Sequence, residues 1–75
     1  MVDYRDVLKN IGLNFRVERV KQCLSQEQFA ELANVHPNYI GKVERGEQNL
    51  TVKKIVDLSN SLNVNVEQIL KIKLV

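Results

Sequence analysis

An all-α fold, a compact bundle of five short helices, is predicted by three features of this sequence. Apolar residues recur at intervals of three and four rather than two, which is the periodicity of a helix face. Aromatic residues, which favour strands, make up only 5% of the chain. With one proline and three glycines, helix breakers are few.

The first helix is expected from Arg5 to Gln22, with Leu8, Ile11, Phe15 and Arg19 on one face and Asp3 and Asp6 placed to favour its N-terminal dipole. Ser25 can cap a second helix. Gln28 completes the Ser-x-x-Gln capping box, Phe29, Ala30 and Ala33 face inward, and the helix ends near Ala33. Asn34 tolerates a left-handed backbone and Pro37 suits a first helical position, so a third helix runs from about Pro37 to Arg45, stopped by Gly46. It buries Ile40 and Val43, and its opposite face, Asn38, Gly41, Lys42 and Arg45, has nothing apolar to bury. After the polar loop of Glu47, Gln48 and Asn49, Thr51 caps a fourth helix with a core stripe of Val52, Ile55, Leu58 and Leu62, ended by Asn63. Asn65 can cap a short fifth helix carrying Val66, Ile69 and Leu70. The closing Lys71-Ile72-Lys73-Leu74-Val75 alternates as a short strand would, or frays.

Seventy-five residues, 44% hydrophobic and 27% charged, make one globular domain, 1–75, with no Gly/Ser/Pro-rich linker. No apolar run is longer than two residues, as in Val7-Leu8, so no membrane span or secretory segment is expected and the chain is placed in the cytoplasm. The single Cys23 has no internal partner and is read as inert. Neither it nor the single His36 belongs to a cluster with metal-ligand spacing, so no metal or other cofactor is expected. Asn49-Leu50-Thr51 is then a chance sequon. No Ser/His/Asp or Cys/His constellation, carboxylate pair or phosphate-binding glycine loop supports an enzyme. A net charge of +2 and a pI near 8.9 permit a polyanionic partner without requiring one.

The informative constellation is Gln26 to Arg45, two short helices joined by a tight turn, with small Ala30 at their crossing and Ile40 and Val43 locking the second to the first. That is helix-turn-helix spacing, and it leaves the second helix a polar face for a DNA major groove about 12 Å wide. The same pattern also occurs in purely structural helical bundles.

The run Leu24-Ser25-Gln26-Glu27-Gln28-Phe29-Ala30-Glu31-Leu32-Ala33, then Tyr39-Ile40-Gly41-Lys42-Val43-Glu44-Arg45-Gly46, then Asn49-Leu50-Thr51 through Leu70 resembles the lambda-repressor and Cro type of helix-turn-helix regulator, over about Ile11 to Leu70. Tyr39 before Ile40, with Glu44-Arg45-Gly46, is most similar to small stand-alone regulators that include restriction-modification controller proteins. Cys23, Asn34 and Asn63 depart from the family, standing where glycine is common.

The resemblance implies double-stranded DNA as partner, Gln26 on a backbone phosphate, and base reading from the start and next turn of the third helix. There Asn38 and Lys42 are the best readers and His36 is either a reader or only a helix-entry residue. Gly41 would let the helix lie close to the groove. Tyr39, Arg45, Asn49, Lys53 and Lys54 are the implied backbone contacts. Glu44, unsuited to a DNA-facing surface, is placed inward against Arg19 as a structural ion pair.

Val7, Leu13, Val17, Val20, Val56, Ile72, Leu74 and Val75 exceed what one small core needs. A homodimer through 65–75, with Ile69, Ile72 and Leu74 in contact and Val56 an equally open contributor, would set two recognition helices about 34 Å apart on a palindromic operator. The resulting expectation is a dimeric transcriptional regulator that occupies an operator or touches RNA polymerase beside it. No small-molecule ligand is expected, since 75 residues leave no room for a ligand domain. The alternative is an antitoxin-like protein-interaction module with secondary DNA binding, supported by the same C-terminal apolar cluster.

Overall fold

The computed structural model describes residues 1–72, which form five helices: α1 Tyr4–Lys21, α2 Gln26–Ala33, α3 Pro37–Glu44, α4 Val52–Ser61 and α5 Val66–Ile69. Helix α1 starts at Tyr4, a residue earlier than expected, because the Asp3 side chain accepts from the Arg5 backbone N–H at 2.8 Å and caps it. The Arg5 guanidinium bonds the same carboxylate and holds it below the ordinary aspartate range. At α2, Ser25 Oγ accepts from the Gln28 N–H at 3.0 Å while Gln28 Oε1 accepts from the Ser25 N–H at 2.8 Å, which closes the capping box.

The core joins Ile11 and Phe15 of α1, Phe29 and Ala30 of α2, Ile40 and Val43 of α3, Ile55 and Leu58 of α4, Leu62 just after it, and Ile69 of α5. The Phe15 and Phe29 rings meet at 6.1 Å, tilted by 39°. Ala30 is buried at the α2–α3 contact, where a larger side chain would push the two helices apart.

Helix α1 also caps the helices packed on it. Asn14 Nδ2 donates to the carbonyls of Ile69 and Lys71, both at 2.8 Å, and Gln22 Nε2 donates to the Leu62 carbonyl at 2.7 Å. These bonds satisfy orphan carbonyls at the ends of α4 and α5, which have no intrahelical partner.

Several sequence expectations need correction. Val52 is 77% exposed, because it is the first residue of α4 and the inward stripe begins at Ile55. Ile69 is fully buried, so it cannot be a dimer contact: with only four residues, α5 spends its inward position closing the core. Ile72 and Val7 pack against that same core, so the apolar surplus is smaller than a residue tally suggests. Asn65 stands at the N-cap of α5 but makes no side-chain cap bond. Lys71 and Ile72 form no strand, and residues 73–75, with Leu74 and Val75, lie outside the described residues. Gly41 is buried rather than open on the outer face of α3.

All three departures from family glycines are left-handed: φ is 58° at Cys23, 56° at Asn34 and 55° at Asn63. Asparagine adopts this geometry readily and cysteine does not. Cys23→Gly is therefore expected to raise stability by about 0.5–1 kcal/mol, the relief of strain less the added freedom of the unfolded glycine. Cys23→Ala keeps the strain and should leave the urea midpoint unchanged; equal midpoints for the two variants would show that position 23 is unstrained.

Candidate nucleic-acid interface

The turn between α2 and α3 is made by Asn34, whose left-handed backbone reverses the chain while the Val35 N–H bonds the Ala30 carbonyl at 2.9 Å. Pro37 fixes the first residue of α3. The chain turns away just after the helix at Gly46, whose φ of +73° and approach to α1 admit no side chain: a Cβ there would lie 2.6 Å from Lys9 Cα. Between these two punctuation points, α3 turns Ile40 and Val43 inward and leaves Asn38 and Lys42 exposed, with no side-chain partner among the described residues.

Three helix N-termini surround this face, and they differ in what they offer. In α2, Ser25 satisfies the N–H groups of Gln28 and Phe29, leaving those of Gln26 and Glu27 without an acceptor among the described residues. In α4, Thr51 satisfies Lys54 and Ile55 and leaves Val52 and Lys53 likewise. Helix α3 is the exception. Pro37 has no N–H, His36 Nδ1 accepts from Asn38 at 3.0 Å, and the His36 carbonyl takes the Tyr39 and Ile40 N–H groups. Two free N–H groups on a helix dipole suit an oxyanion, so α2 and α4 can hold phosphates through backbone while α3 has only side chains to present.

Behind this surface lies a buried ion pair. Arg19 donates from Nε to Glu44 Oε2 at 2.7 Å and from Nη2 to Oε1 at 3.0 Å, and its Nη1 reaches the Leu24 carbonyl at 2.7 Å. Gln26 Nε2 adds a third bond to the carboxylate at 3.0 Å. One carboxylate thus ties α1, the start of α2 and the end of α3 together. A Cβ on Gly41 would meet Arg45 Nη1 at 3.1 Å and Gln26 Oε1 at 3.8 Å, so those two polar side chains cover the glycine from outside.

The remaining cations are placed less freely than the sequence suggested. Arg45 donates to Glu47 at 3.0 Å and Lys53 to Asp57 at 2.9 Å, the carboxylate raising the lysine's affinity for its proton. Both pairs are exposed and screened by solvent, so either cation can be released to a phosphate. Lys54 Nζ lies 5.7 Å from the centroid of the Tyr39 ring, and burial pushes the phenol up, so Tyr39 stays a neutral O–H donor. Asn49 is exposed in the loop before α4.

The structure therefore brings Gln26 and Arg45 together over Gly41, ties Gln26 and Arg19 to Glu44, and pairs Tyr39 with Lys54, while Lys42, Asn38 and His36 stand exposed along the start and middle of α3. Sequence reasoning missed the partners Glu47 and Asp57, although the four-residue spacing of Lys53 and Asp57 on one helix was a readable signal. Among the described residues, no group of three metal-ligating side chains occurs and no helix is long and apolar enough to cross a membrane.

Comparison with known proteins agrees with this geometry. The helix-turn-helix family (HTH_3) matches residues 16–69. Control protein C.SmaI of Serratia marcescens is 39% identical over 67 residues, covering 89% of this chain and 80% of its own length. The crystal structure of the restriction-modification controller protein C.AhdI from Aeromonas hydrophila superimposes with a TM-score of 0.77 at 33% identity, covering 85% of this chain and 96% of that one. A hypothetical transcription factor from Neisseria, NHTF, gives a TM-score of 0.82 at 28% identity over 93% of this chain and 80% of that one. These relatives are regulators rather than enzymes. A turn held by Asn34, a helix locked by Ile40 and Val43, and relatives of this kind lead to one conclusion: the chain belongs to the helix-turn-helix (HTH_3) family of lambda-repressor type and is a transcriptional regulator with a DNA-binding fold.

Proposed function

We propose that this protein regulates transcription as a homodimer bound to a palindromic operator, with α3 in the major groove. The observation that carries the reading is the division of labour among helix N-termini: α2 and α4 each keep two backbone N–H groups for phosphate, and α3 between them keeps none and offers His36, Asn38 and Lys42. Gln26, Tyr39, Arg45, Asn49, Lys53 and Lys54 position the duplex, and Asn38 and Lys42 read base edges. Dimerisation uses the outer face of α4 and α5, where Val56 is 36% exposed and Leu70 is also exposed. The whole of 1–75 then acts as one domain, in the cytoplasm where the chromosome is, and an occupied operator blocks RNA polymerase or contacts it.

The deciding experiment is selection of bound duplexes from a random pool at about 150 mM salt, where non-specific binding is weakened. A palindrome with half-sites about one helical turn apart is expected. A folded protein that recovers no motif would overturn the reading. Asn38→Ala should relax base preference with the salt slope unchanged, whereas Arg45→Ala should weaken every sequence and lower the slope by about one. Equal losses on all DNA from both variants would refute this sorting.

A protein-interaction role draws support from one feature, the exposed stripe Leu13, Val17 and Val20 on α1. Light scattering with a pull-down separates the two: a homodimer with no stoichiometric partner favours the operator reading.

A further inference from the structure

We propose that His36 meets DNA as a hydrogen-bond donor only, presenting Nε2–H to an acceptor on the duplex, either a purine N7 or a phosphate oxygen. The proposal rests on the operator-binding reading above and deepens it.

The recognition helix is capped differently from its neighbours. Helices α1, α2 and α4 take Asp3, Ser25 and Thr51, short side chains that cap through an oxygen. Helix α3 takes His36, whose Nδ1 accepts from the Asn38 N–H at 3.0 Å. A neutral imidazole has one accepting nitrogen and one N–H, so a ring that accepts at Nδ1 carries its proton at Nε2. Capping therefore sets the tautomer, and with it the polarity of the atom left facing outward. The bond also holds the ring in place, so less freedom is lost when Nε2 finds a partner.

The position suits that role. His36 is exposed, directly precedes α3 and is two residues from Asn38. Because the Asn38, Tyr39 and Ile40 N–H groups are already satisfied and Pro37 has none, no backbone donor at this end of α3 competes for the same acceptor. A ring with Nε2–H cannot accept from cytosine N4 or adenine N6, so on a base edge it is limited to acceptors, of which N7 is the one that both purines present.

The test uses the full chain and the operator recovered by selection. Each half-site purine is replaced in turn by its 7-deaza analogue, which lacks the N7 acceptor, and each nearby phosphate by a methylphosphonate. Wild-type protein and His36→Ser are compared, since serine keeps the cap and lacks Nε2–H. One substitution per half-site is expected to weaken wild-type binding about threefold to tenfold, the range of a single net hydrogen bond, and to leave His36→Ser unaffected. A deaza position assigns the acceptor to a base, a methylphosphonate position to a phosphate. His36→Ser should unfold at a temperature close to wild type. If every substitution weakens both proteins alike, His36 is only a cap and the proposal fails while the operator reading stands. If the folded wild type recovers no operator, both fail. Nitrogen-15 NMR of the wild-type imidazole is a further check that needs no variant: a proton on Nδ1 in the free protein overturns the proposal.

Discussion

Glu44→Ala is expected to lose about 3–5 kcal/mol of folding stability, a large share of the roughly 5–15 kcal/mol that keeps a domain folded. The Glu44 side chain is 2% exposed and that of Arg19 12%, so deleting the carboxylate strands a guanidinium where water reaches it poorly. It also releases Gln26 Nε2 and leaves Arg19 with only the Leu24 carbonyl. The loss comes from the stranded partner more than from the attraction of the pair itself. Replacing both residues by apolar ones of similar size, Arg19→Met with Glu44→Leu, should therefore recover most of it. Urea denaturation of the two single variants and the double variant measures this. Additive losses in the double variant would show that the two side chains act independently. Folded Arg19→Met/Glu44→Leu should still bind DNA more weakly than wild type, because Gln26 loses the bond that fixes it at the start of α2.

What the sequence disclosed and what it hid divide by range. Ser25 with Gln28, Thr51, Pro37, Asn34 and Asn63 are each read within three or four positions, because a cap or a left-handed residue needs only its neighbours. Ile69 reads as a partner contact because nothing local says that a four-residue helix will close the core beneath α1 and α4. Nothing local marks Gln22 and Asn14 as caps, since the carbonyls they bond lie 40 and 55 positions away. At the candidate interface the same division holds. The polar face of α3 follows from periodicity, whereas the cover over Gly41 and the Glu44–Gln26 bond arise only once three helices meet. Lysines and arginines advertise a charge but not its partner, which is why Glu47 and Asp57 entered only with the structure.

Gly12→Ala is expected to be as damaging as the loss of Glu44, and for a reason no propensity scale contains. In the middle of an 18-residue helix, alanine should gain about 0.5–1 kcal/mol over glycine. Here a Cβ on Gly12 would overlap the Val43 carbonyl oxygen and sit 2.8 Å from that of Glu44. The obstacles are backbone atoms at the end of α3, which cannot rotate away as a side chain would. Helix α3 must therefore move off α1, and Ile11 and Phe15 lose contact with Ile40 and Val43 across the opened seam. A net loss of about 3 kcal/mol or more is expected, read as a lower urea midpoint. Gly41→Ala is the matched control, because its new Cβ would meet only the flexible Arg45 guanidinium and the Gln26 amide, both able to swing aside. It should keep or slightly raise the midpoint while disturbing the polar cover of α3. If Gly12→Ala proves no less stable than Gly41→Ala, the close backbone approach of α1 to α3 is not what seats the recognition helix. If it is far less stable, α3 is seated from behind, by a glycine of α1 that leaves room for the Val43 and Glu44 backbone.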